Sequence, residues 1–381
     1  MGINGRVDVS DTLWDAIVVG AGLAGCAAAA HLAQAGRATL LLDQKAIGAP
    51  KLCGEFLSPE ASSYLFELRA LDAVHAAGAA PISHACLVAP SGRRATCALP
   101  GEALGIGRDR LDPILLARAQ AAGAVYRPGV RVHRFSRSGT AFALETDHGA
   151  LRGRLALDAR GRGPAAREGR VRKAAVAAFK QRFRGRAAGH ISLFGLPGGY
   201  AGLAPVDDGR INLCFLLTCD ALAAAGGRID AVLQAIQRQN PALGDILRFL
   251  EPVGSLVGCS HLPLGARGAV EEDVLRIGDA AGMIAPLCGD GMAMALQSAR
   301  LAACVGLEFL SGRAGLGESV HRYEREWRRA FGVRLAAGAM LQRAALSGRA
   351  AEAAVATASA MPATLRLVIG ATRSRPLKAR A

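Results

Sequence analysis

The fold of this chain is decided by residues 14–43, which read WDAIVVGAGLAGCAAAAHLAQAGRATLLLD. The stretch contains a short apolar strand, a turn with three glycines, an alanine-rich helix that runs to about Gln34, and a second apolar strand. This order of strand, G-x-G-x-x-G turn, helix and strand is the fingerprint of a βαβ unit that binds a dinucleotide. It predicts an α/β protein that opens with a Rossmann-type domain.

Three glycines and one aspartate give this fingerprint the features that dinucleotide binding needs. Gly20 permits the tight turn, Gly22 lets the backbone approach a pyrophosphate, and Gly25 lets the helix pack against the strand. The helix N-terminus then offers free N–H groups and a positive dipole end to the phosphates. Asp43 lies 23 residues after Gly20, where a carboxylate accepts hydrogen bonds from ribose hydroxyls. The other glycine clusters do not follow this pattern, so the sequence predicts no separate NAD(P)H domain.

Length, composition and charge limit the class of protein. The 381 residues are 51% hydrophobic and 20% charged, which excludes a disordered chain and a small disulfide scaffold. We find no apolar run of about 18 residues and no apolar signal core at the N-terminus, so we expect a cytoplasmic protein. The net charge of +15 favours scattered solvated arginines, with an anionic ligand or a peripheral membrane contact as the alternative. We expect no nucleic acid partner, because aromatic residues are only 4% of the chain.

The nine cysteines indicate no metal site. None of them forms a C-x-x-C pair, so neither a zinc ribbon nor a thioredoxin-type site is expected. An odd and scattered set suits reduced thiols, most of them small core residues.

Three further motifs follow the opening fingerprint along the chain. They are Arg108-x-x-Leu111-Asp112 at the start of a helix, Asp158-Ala159-x-Gly161 after an apolar strand, and Gly278-Asp279-Ala280-Ala281-Gly282 with Pro286-Leu287-Cys288-Gly289-Asp290-Gly291. Together with the fingerprint, this set resembles the FAD-binding oxidoreductases of the aromatic-hydroxylase superfamily. The resemblance spans most of residues 12–312.

Within that superfamily, three stretches are most similar to geranylgeranyl reductases and related flavoproteins. Lys51-Leu52-Cys53-Gly54 is similar to their K-P-C-G segment, and Pro197-Gly198-Gly199-Tyr200-Ala201-Gly202 is similar to their P-x-G-Y-x-W segment. The residues Gly278–Gly282 are also similar to the corresponding segment of these reductases. The halogenase branch shares the FAD motifs, but its W-x-W-x-I-P segment is absent, since Trp14 and Trp327 are the only tryptophans.

The resemblance implies a domain plan of three parts. A discontinuous FAD-binding domain would comprise residues 12–80, 106–163 and 269–315. An inserted antiparallel-sheet substrate domain would comprise residues 81–105 and 164–268. Residues 316–381 would form a helical C-terminal region.

The resemblance also implies how an extended FAD would lie. Its adenosine end would sit on the glycine turn and Asp43, with Val132 near the adenine. Arg108 would pair with phosphate or ribose oxygens, and Asp279 would accept from the ribityl hydroxyls. The helix that begins at Gly291 would point its N-terminus at the pyrimidine end of the flavin. The full predicted cofactor set is Gly20, Ala21, Gly22, Leu23, Ala24, Gly25, Asp43, Gln44, Lys51, Cys53, Gly54, Arg108, Val132, Asp158, Gly161, Gly278, Asp279, Pro286, Gly289, Asp290, Gly291 and Met292.

Cys53 and Tyr200 are the candidate catalytic residues. If the resemblance holds, Cys53 lies near the flavin ring, where it positions substrate or donates a proton, and the alternative is a small buried thiol. Tyr200 either lines the substrate pocket and supplies a proton or is an aromatic core residue. The stretch Ile191–Thr218 is largely apolar, which suits an apolar substrate.

The function predicted on this basis is a FAD-dependent oxidoreductase of secondary metabolism. The leading hypothesis is reduction of a double bond in a prenyl, lipid or polyketide-like substrate by reduced flavin, with NAD(P)H as a transient donor. The alternative is an NAD(P)H- and O2-dependent flavin monooxygenase that hydroxylates or epoxidises its substrate. A third hypothesis is a flavin-bearing redox or RNA-associated protein without turnover of its own. The partners expected are the apolar substrate and a membrane or carrier surface.

Overall fold

The computed structural model of the chain describes residues 12–49, 51–162, 176–186, 188–259 and 262–373. Within these residues, two eight-stranded sheets carry the fold. The first sheet is mainly parallel and the second mainly antiparallel, and helices follow both at the C-terminus. The α/β architecture with a Rossmann-type start, a second antiparallel sheet and a helical C-terminal region is therefore confirmed for the described residues.

The strands, numbered along the chain, are β1 (Leu13–Val19), β2 (Thr39–Asp43), β3 (Phe56–Leu57), β4 (Ala80–Val88), β5 (Arg94–Gly105), β6 (Val125–Pro128), β7 (Val132–Ser138), β8 (Ala141–Thr146), β9 (Gly149–Asp158), β10 (Val176–Arg184), β11 (His190–Leu196), β12 (Gly199–Pro205), β13 (Arg210–Thr218), β14 (Glu251–Cys259), β15 (Gly265–Ala266), β16 (Val270–Glu271), β17 (Val274–Arg276) and β18 (Gly282–Met283). The helices are α1 (Leu23–Gln34), α2 (Ala61–Glu67), α3 (Leu71–Ala76), α4 (Arg108–Ala121), α5 (Cys219–Ala224), α6 (Ile229–Gln239), α7 (Pro241–Leu247), α8 (Gly291–Leu310), α9 (Leu316–Leu346), α10 (Gly348–Ala360) and α11 (Pro362–Ala371).

The first sheet forms around the opening fingerprint. Its order is β16-β17-β9-β1-β2-β6, and the β7–β8 hairpin adds to β9. β1 pairs parallel with both β2 and β9, and its Ile17 and Val18 are fully buried. A parallel strand covered on both faces needs this continuous apolar run. Because β1, β9 and β17 run in the same direction, their carboxyl ends bring Gly20, Ala159 and Gly278 to one edge of the sheet.

Helix α1 packs between this sheet and the helices α4 and α8. Its alanines are almost all buried, and their small side chains allow the close approach of three helices. Helix α8 is long and apolar enough to cross a membrane, but 56% of its most apolar window is buried inside the protein. We therefore assign α8 to the core of the protein.

The second sheet has the order β14-β10-β13-β12-β11-β4-β5-β3. One face is covered by α6 and α7, where Leu213 and Ile236 share a core cluster. The opposite face contributes Tyr200 and Leu216 to a separate cluster beside the cleft described below. Strand β3, which the predicted domain plan assigns to the first domain, pairs with β5 of this sheet. The predicted boundary at residue 163 lies outside the described residues.

The C-terminal helices join both parts of the molecule. Helix α9 packs along α8, and its last turns reach β12 of the second sheet. Helices α10 and α11 then fold back and pack against β5. This path places side chains of α9 next to the cleft between the two sheets.

Candidate active site

A cleft with about 1460 Å³ of open space lies between the carboxyl edge of the first sheet and the second sheet. One end is lined by the glycine turns and the N-terminus of α8, and the other end by apolar side chains of the second sheet. The predicted cofactor residues that line it are Gly22, Leu23, Ala24, Cys53, Gly54, Arg108, Gly161, Gly278, Asp279, Pro286, Gly289, Gly291 and Met292. The other predicted cofactor residues, Gly20, Ala21, Gly25, Asp43, Gln44, Lys51, Val132, Asp158 and Asp290, lie behind or beside this lining.

The glycine turn has the geometry of a phosphate cradle. Gly20 has a φ of +108°, and a Cβ added there would lie 2.4 Å from the backbone oxygen of Ala159. A Cβ at Gly25 would lie 1.7 Å from the oxygen of Gly20, so the helix and turn are in direct contact. A Cβ added at Gly22 would meet one atom of the described residues beyond its chain neighbours, Nη2 of Arg108 at 3.9 Å. Gly22 caps α1 without a side-chain hydrogen bond, so the helix N-terminus opens onto the cleft.

Asp43 connects the second strand to this turn. Its Oδ2 accepts a hydrogen bond from the N–H of Ala21 at 2.7 Å, and its Oδ1 accepts from the N–H of Lys45 at 2.9 Å. The adjoining Gln44 is exposed. The carboxylate thus holds the turn in place and leaves lone pairs for further donors.

Asp158 and Val132 lie together near the turn and share one partner, Arg160. The guanidinium of Arg160 donates to both carboxylate oxygens of Asp158 at 2.9 Å and to the oxygen of Val132 at 3.3 Å. It also stacks over the ring of Phe135 at 4.9 Å. Arg160 was not singled out from the sequence, although it lies inside the third motif.

Arg108 places a fixed positive charge beside Gly22. Its guanidinium donates two hydrogen bonds to Asp112, at 2.6 and 3.0 Å, which fixes its orientation. Burial alone would lower the pKa of Arg108, but Asp112 and the nearby Cys53 raise it above its usual range. The side chain therefore stays charged and suits the recognition of an anionic group.

Asp279 offers a carboxylate to the middle of the cleft. It lies in a turn of 3-10 helix, Gly278–Ala280, and among the described residues its carboxylate has no hydrogen-bond partner. Burial raises its pKa, and the neighbouring Arg162 and Arg108 oppose that rise. A half-buried acceptor without a partner at the wall of the cleft fits a ligand that carries hydroxyl groups.

The N-terminus of α8 faces the same part of the cleft through its backbone. Gly289 has a φ of +64°, and a Cβ on Gly291 would meet nothing within 4 Å. The side chain of Asp290, in contrast, is fully buried behind the turn, where it pairs with Arg334 and accepts from the hydroxyl of Ser58 at 3.4 Å. In this structure Asp290 therefore anchors the start of α8, and its carboxylate does not face the cleft.

The Lys51–Gly54 loop lies at the junction of the two ends of the cleft. The Sγ of Cys53 accepts a hydrogen bond from the N–H of Glu55 at 3.3 Å. The oxygen of Cys53 accepts from Nδ2 of Asn212 and from Sγ of Cys214, both at 3.0 Å. Cys53 is thus held at the cleft wall by strand β13 of the second sheet, a contact that the sequence did not indicate.

A buried ionic cluster supports this loop. Glu55 is completely buried at a φ of +56°, and its Oε1 lies 2.5 Å from both Nζ of Lys180 and Nη2 of Arg182. Lys180 also donates to the oxygen of Lys51 at 3.3 Å. The sequence was not seen to predict this cluster. The feature that could have indicated it is a lysine, Lys180, in the otherwise apolar start of β10.

Tyr200 lines the apolar end of the cleft. Its hydroxyl donates to Oε1 of Gln342 in α9 at 2.9 Å, and its side chain is buried. Burial raises the pKa of Tyr200, so the phenol stays neutral. The other apolar residues of the lining come from the strands β10 to β13 and from two loops. They are Phe179, Ile191, Leu193, Ala204, Phe215 and Leu216 in the strands, and Leu52 and Leu262 in the loops.

These features fit FAD at the polar end of the cleft. Gly22 leaves a cradle that a Cβ would fill, Arg108 supplies a cation, and Asp279 supplies an acceptor without a partner. The open space beside the backbone of Gly291 leaves room for a flat ring next to the N-terminus of α8. The apolar end of the same cleft then lies next to that ring position and offers apolar side chains to a second molecule.

Comparisons with known proteins give one consistent family. Residues 14–151 match the family described as FAD binding domain. The chain is 26% identical over 342 residues to digeranylgeranylglycerophospholipid reductase 2 of Methanopyrus kandleri, covering 84% of this chain and 83% of that protein. It is 28% identical over 324 residues to menaquinone reductase of Mycolicibacterium smegmatis, covering 77% of this chain and 76% of that protein.

Solved structures share the fold at lower identity. The flavin-dependent brominase Bmp2 superposes with a TM-score of 0.80 at 15% identity and covers 94% of both chains. PqsL of Pseudomonas aeruginosa, described as a probable FAD-dependent monooxygenase, superposes with a TM-score of 0.73 at 17% identity, covering 90% of this chain and 99% of that chain. At these identities the likeness supports the fold and not a reaction.

Proposed function

We propose that this chain, which is an FAD-dependent oxidoreductase of the aromatic-hydroxylase type, reduces a carbon–carbon double bond in an apolar, prenyl-type lipid. The observation that carries the proposal is the continuity of the cleft. Its apolar end adjoins the place that fits the flavin ring, and Cys53 lies at the junction. The similarity to two reductases, one named for a prenylated phospholipid and one for menaquinone, supports the same reaction class.

Bound FAD in its reduced form supplies a hydride to one carbon of the double bond, and the other carbon then needs a proton. The chain's own residues supply the setting for that step. Apolar side chains such as Phe179 and Leu216 exclude water and hold the hydrocarbon chain. Arg108 and Asp279 fix the cofactor end, so that the two reactants meet at the junction.

Cys53 is the proton donor in this proposal. Its thiol proton passes to the second carbon, and the N–H of Glu55 and the nearby Arg108 face the negative sulfur that remains. Tyr200 is the less suited donor, because its hydroxyl proton is already engaged by Gln342. We assign Tyr200 to the wall of the substrate pocket.

The electron donor in this proposal is NAD(P)H, which would bind transiently. The sequence contains one dinucleotide fingerprint, and in this proposal FAD occupies it. The second candidate function is O2-dependent monooxygenation of the same class of apolar substrate. Its support is that the place that fits the flavin ring and the adjoining apolar end of the cleft would serve this reaction equally well.

Single-turnover reduction separates the two candidates. The holoprotein is reduced chemically without oxygen and mixed with geranylgeraniol, with its fully saturated analogue as the control. We expect the absorbance of oxidised flavin to return with geranylgeraniol only, and the product to gain two hydrogen atoms by mass spectrometry. No return of oxidised flavin, together with a product that gains one oxygen atom when O2 and NAD(P)H are present, would overturn reduction in favour of monooxygenation.

The Cys53→Ser variant tests the proton donor in the same assay. We expect flavin content to stay at the wild-type level, and the rate of substrate-dependent flavin oxidation to fall by about 10²-fold or more, in line with the loss of a general acid. The matched control is Cys219→Ser, since Cys219 is exposed and is not among the residues that line the cleft. An unchanged rate in Cys53→Ser would remove Cys53 from the mechanism.

A further inference from the structure

Two cysteines meet where the two ends of the cleft join. Of the nine cysteines, Cys53 in the loop before β3 and Cys214 in β13 are the two that line the cleft. The Sγ of Cys214 lies 3.0 Å from the oxygen of Cys53, and Nδ2 of Asn212 contacts both that oxygen, at 3.0 Å, and that sulfur, at 3.7 Å. The two cysteines are 161 residues apart in the sequence, so the fold brings these thiols together.

The two thiols have different surroundings. The Sγ of Cys53 accepts a hydrogen bond from the N–H of Glu55 at 3.3 Å, and the charged guanidinium of Arg108 lies close to it. An N–H donor and a fixed cation favour the thiolate, which is the reactive form of a cysteine. Burial, together with the nearness of Cys53, raises the pKa of Cys214 to about 12, so Cys214 stays a thiol. A reactive sulfur beside a second thiol is the arrangement of a reversible oxidation site.

We propose that Cys53 and Cys214 form a reversible disulfide when hydrogen peroxide enters the cleft. The sulfur of Cys53 attacks one oxygen of the peroxide and the O–O bond breaks, so that Cys53 becomes a sulfenic acid and the leaving hydroxide takes up a proton to form water. The sulfur of Cys214 then attacks the sulfur of Cys53. The S–S bond forms, the S–O bond breaks, and the leaving hydroxide takes the proton of Cys214 to form a second water. The two thiols thus give two electrons and two protons to one peroxide.

The loop that carries Cys53 supplies the movement that this bond needs. A disulfide holds its two sulfurs about 2.05 Å apart. Cys214 is fixed within β13, which pairs along its length with both β10 and β12. Residues 51–55, in contrast, lie in no helix or strand. Oxidation would therefore draw the loop toward β13, and the sheet would keep its register.

The disulfide would stop turnover reversibly, a consequence that rests on the proposed function because Cys53 is the proton donor there. The oxidant has a source in the reaction itself, since reduced flavin that finds no substrate passes two electrons to O2 and yields hydrogen peroxide. A dithiol reductant would restore both thiols. Without Cys214, the sulfenic acid at Cys53 would be oxidised further to a sulfinic acid, which such a reductant does not restore. Cys214 therefore protects Cys53 from permanent loss.

Peptide mapping of the oxidised holoprotein tests the bond. The full-length holoprotein is treated with hydrogen peroxide, its remaining thiols are alkylated, and the digest is analysed by mass spectrometry without reduction. We expect a cross-linked pair of peptides that contain Cys53 and Cys214, lighter by two hydrogen atoms than the two free peptides together, and its conversion to two thiols by dithiothreitol. Sulfinic acid at Cys53 without this cross-link, or a cross-link from Cys53 to any other cysteine, would overturn the proposal.

Variants of each cysteine test the order of the two steps. In Cys214→Ser, whose hydroxyl can still donate to the oxygen of Cys53, the cross-link should be lost and Cys53 should become a sulfinic acid that dithiothreitol does not restore. In Cys53→Ser, Cys214 should stay a thiol at the same peroxide dose, and its equal oxidation there would overturn the pairing. The matched control is Cys304→Ser, since Cys304 is exposed and is not among the residues that line the cleft, and the cross-link should form at the wild-type yield.

Flavin content and melting temperature confirm that each variant is folded, and Cys214→Ala replaces Cys214→Ser if the serine variant is not. The cross-link is read without turnover, so failure of the reductase assay leaves the disulfide result intact. In the single-turnover assay, peroxide treatment of the wild type should lower the rate of flavin oxidation by about 10²-fold or more, and dithiothreitol should restore it. A cross-link without any fall in the rate would support the disulfide and overturn Cys53 as the proton donor.

Discussion

The two ends of the cleft are built by different means. The cofactor end is made largely of backbone, at the glycine turn, the 3-10 turn at Asp279 and the start of α8. The substrate end is made of side chains from several strands that are far apart in the sequence. A site made of backbone needs glycines at fixed spacings, and these leave a readable pattern. A site made of apolar side chains uses the same residue types as any core, so it leaves none.

This difference makes the two ends respond differently to substitution. A single added methyl or larger group at a backbone site removes the space for the ligand. At the substrate end the neighbouring side chains can repack, and the effect depends on volume. The buried ionic cluster at Glu55 lies between the two ends. It is made neither of glycine backbone nor of apolar side chains.

The largest expected effect is at Gly22. In Gly22→Val, the side chain would project into the cleft beside Arg108, where the backbone now has open space. We expect FAD affinity to fall by more than about 10³-fold, because phosphate contacts to the helix N-terminus need that approach. Flavin fluorescence titration of the apoprotein measures the loss, and circular dichroism reports whether the fold is kept.

Gly317→Val is the matched control for Gly22→Val. Gly317 lies in α9, and a Cβ there would meet no described atom within 4 Å, whereas a Cβ at Gly22 would meet only the end of the Arg108 side chain, at 3.9 Å. We expect its FAD affinity to equal that of the wild type. Flavin binding by the Gly22→Val protein at wild-type affinity would show that the cofactor end is not at this turn.

The second prediction concerns the cluster between the two ends. Glu55→Gln removes the charge that faces Lys180 and Arg182, so both cations lose a buried partner. We expect the free energy of unfolding to fall by about 3–5 kcal/mol, the usual cost of breaking a buried pair from one side. Urea denaturation of the holoprotein measures it.

Asp245→Asn is the matched substitution for an exposed pair. Asp245 pairs with Arg248, and both side chains are more than 60% exposed. The expected loss is about 0–1 kcal/mol, since water screens such pairs. Equal losses in the two variants would show that the Glu55 cluster does not hold the Lys51–Gly54 loop.

The third prediction separates a ligand contact from a structural one. In Asp279→Asn, the carboxylate that lacks a protein partner is replaced by an amide of the same shape. We expect FAD affinity to fall by about 10- to 100-fold, which corresponds to one charged hydrogen bond of about 1.5–3 kcal/mol. Stability of the apoprotein should stay the same or rise, because burial of the unpaired charge ends.

Asp273→Asn, at a half-exposed acid paired with Arg137, serves as the control. Its FAD affinity should stay at the wild-type value. A loss of apoprotein stability in Asp279→Asn without a loss of FAD affinity would make Asp279 a structural residue.

The sequence predicted the cofactor end more fully than the substrate end, for physical reasons. The βαβ unit at Gly20 and the helix α1 follow from a local pattern, and the positions of Arg108 and Asp279 follow from motifs that resemble a known family. The pairing of β3 with β5 and the reach of α9 to Tyr200 depend on contacts more than 40 residues apart. No periodicity within one segment reports such contacts.

Asp290 shows what a recognised motif does not predict. The sequence placed it correctly at the start of α8, but it did not reveal which way the side chain points. That direction is set by Arg334, which comes from α9, 44 residues later. A motif identifies a backbone path, and the partner of each side chain has to come from the folded structure.

The last prediction is a pH dependence at Asp290. Burial raises the pKa of this carboxyl above its ordinary value of 3.8, against the opposing effect of Arg334. The folded state therefore binds the proton more tightly than the unfolded state. As the pH rises above that ordinary value, the unfolded chain loses the proton first, and the folded protein loses stability until its own carboxyl ionises.

The Asp290→Asn variant cannot ionise at this position and lacks this pH dependence. We expect the stability of the wild type minus that of the variant to fall as the pH rises, by at most about 1.4 kcal/mol per pH unit. Urea denaturation at a series of pH values measures how this stability difference changes with pH. Leaving Arg334 without its partner lowers the stability of the variant by the same amount at every pH, so it does not affect the slope. A difference that rises with pH would mean that Arg334 lowers the pKa by more than burial raises it, and α8 would then begin at a true buried ion pair.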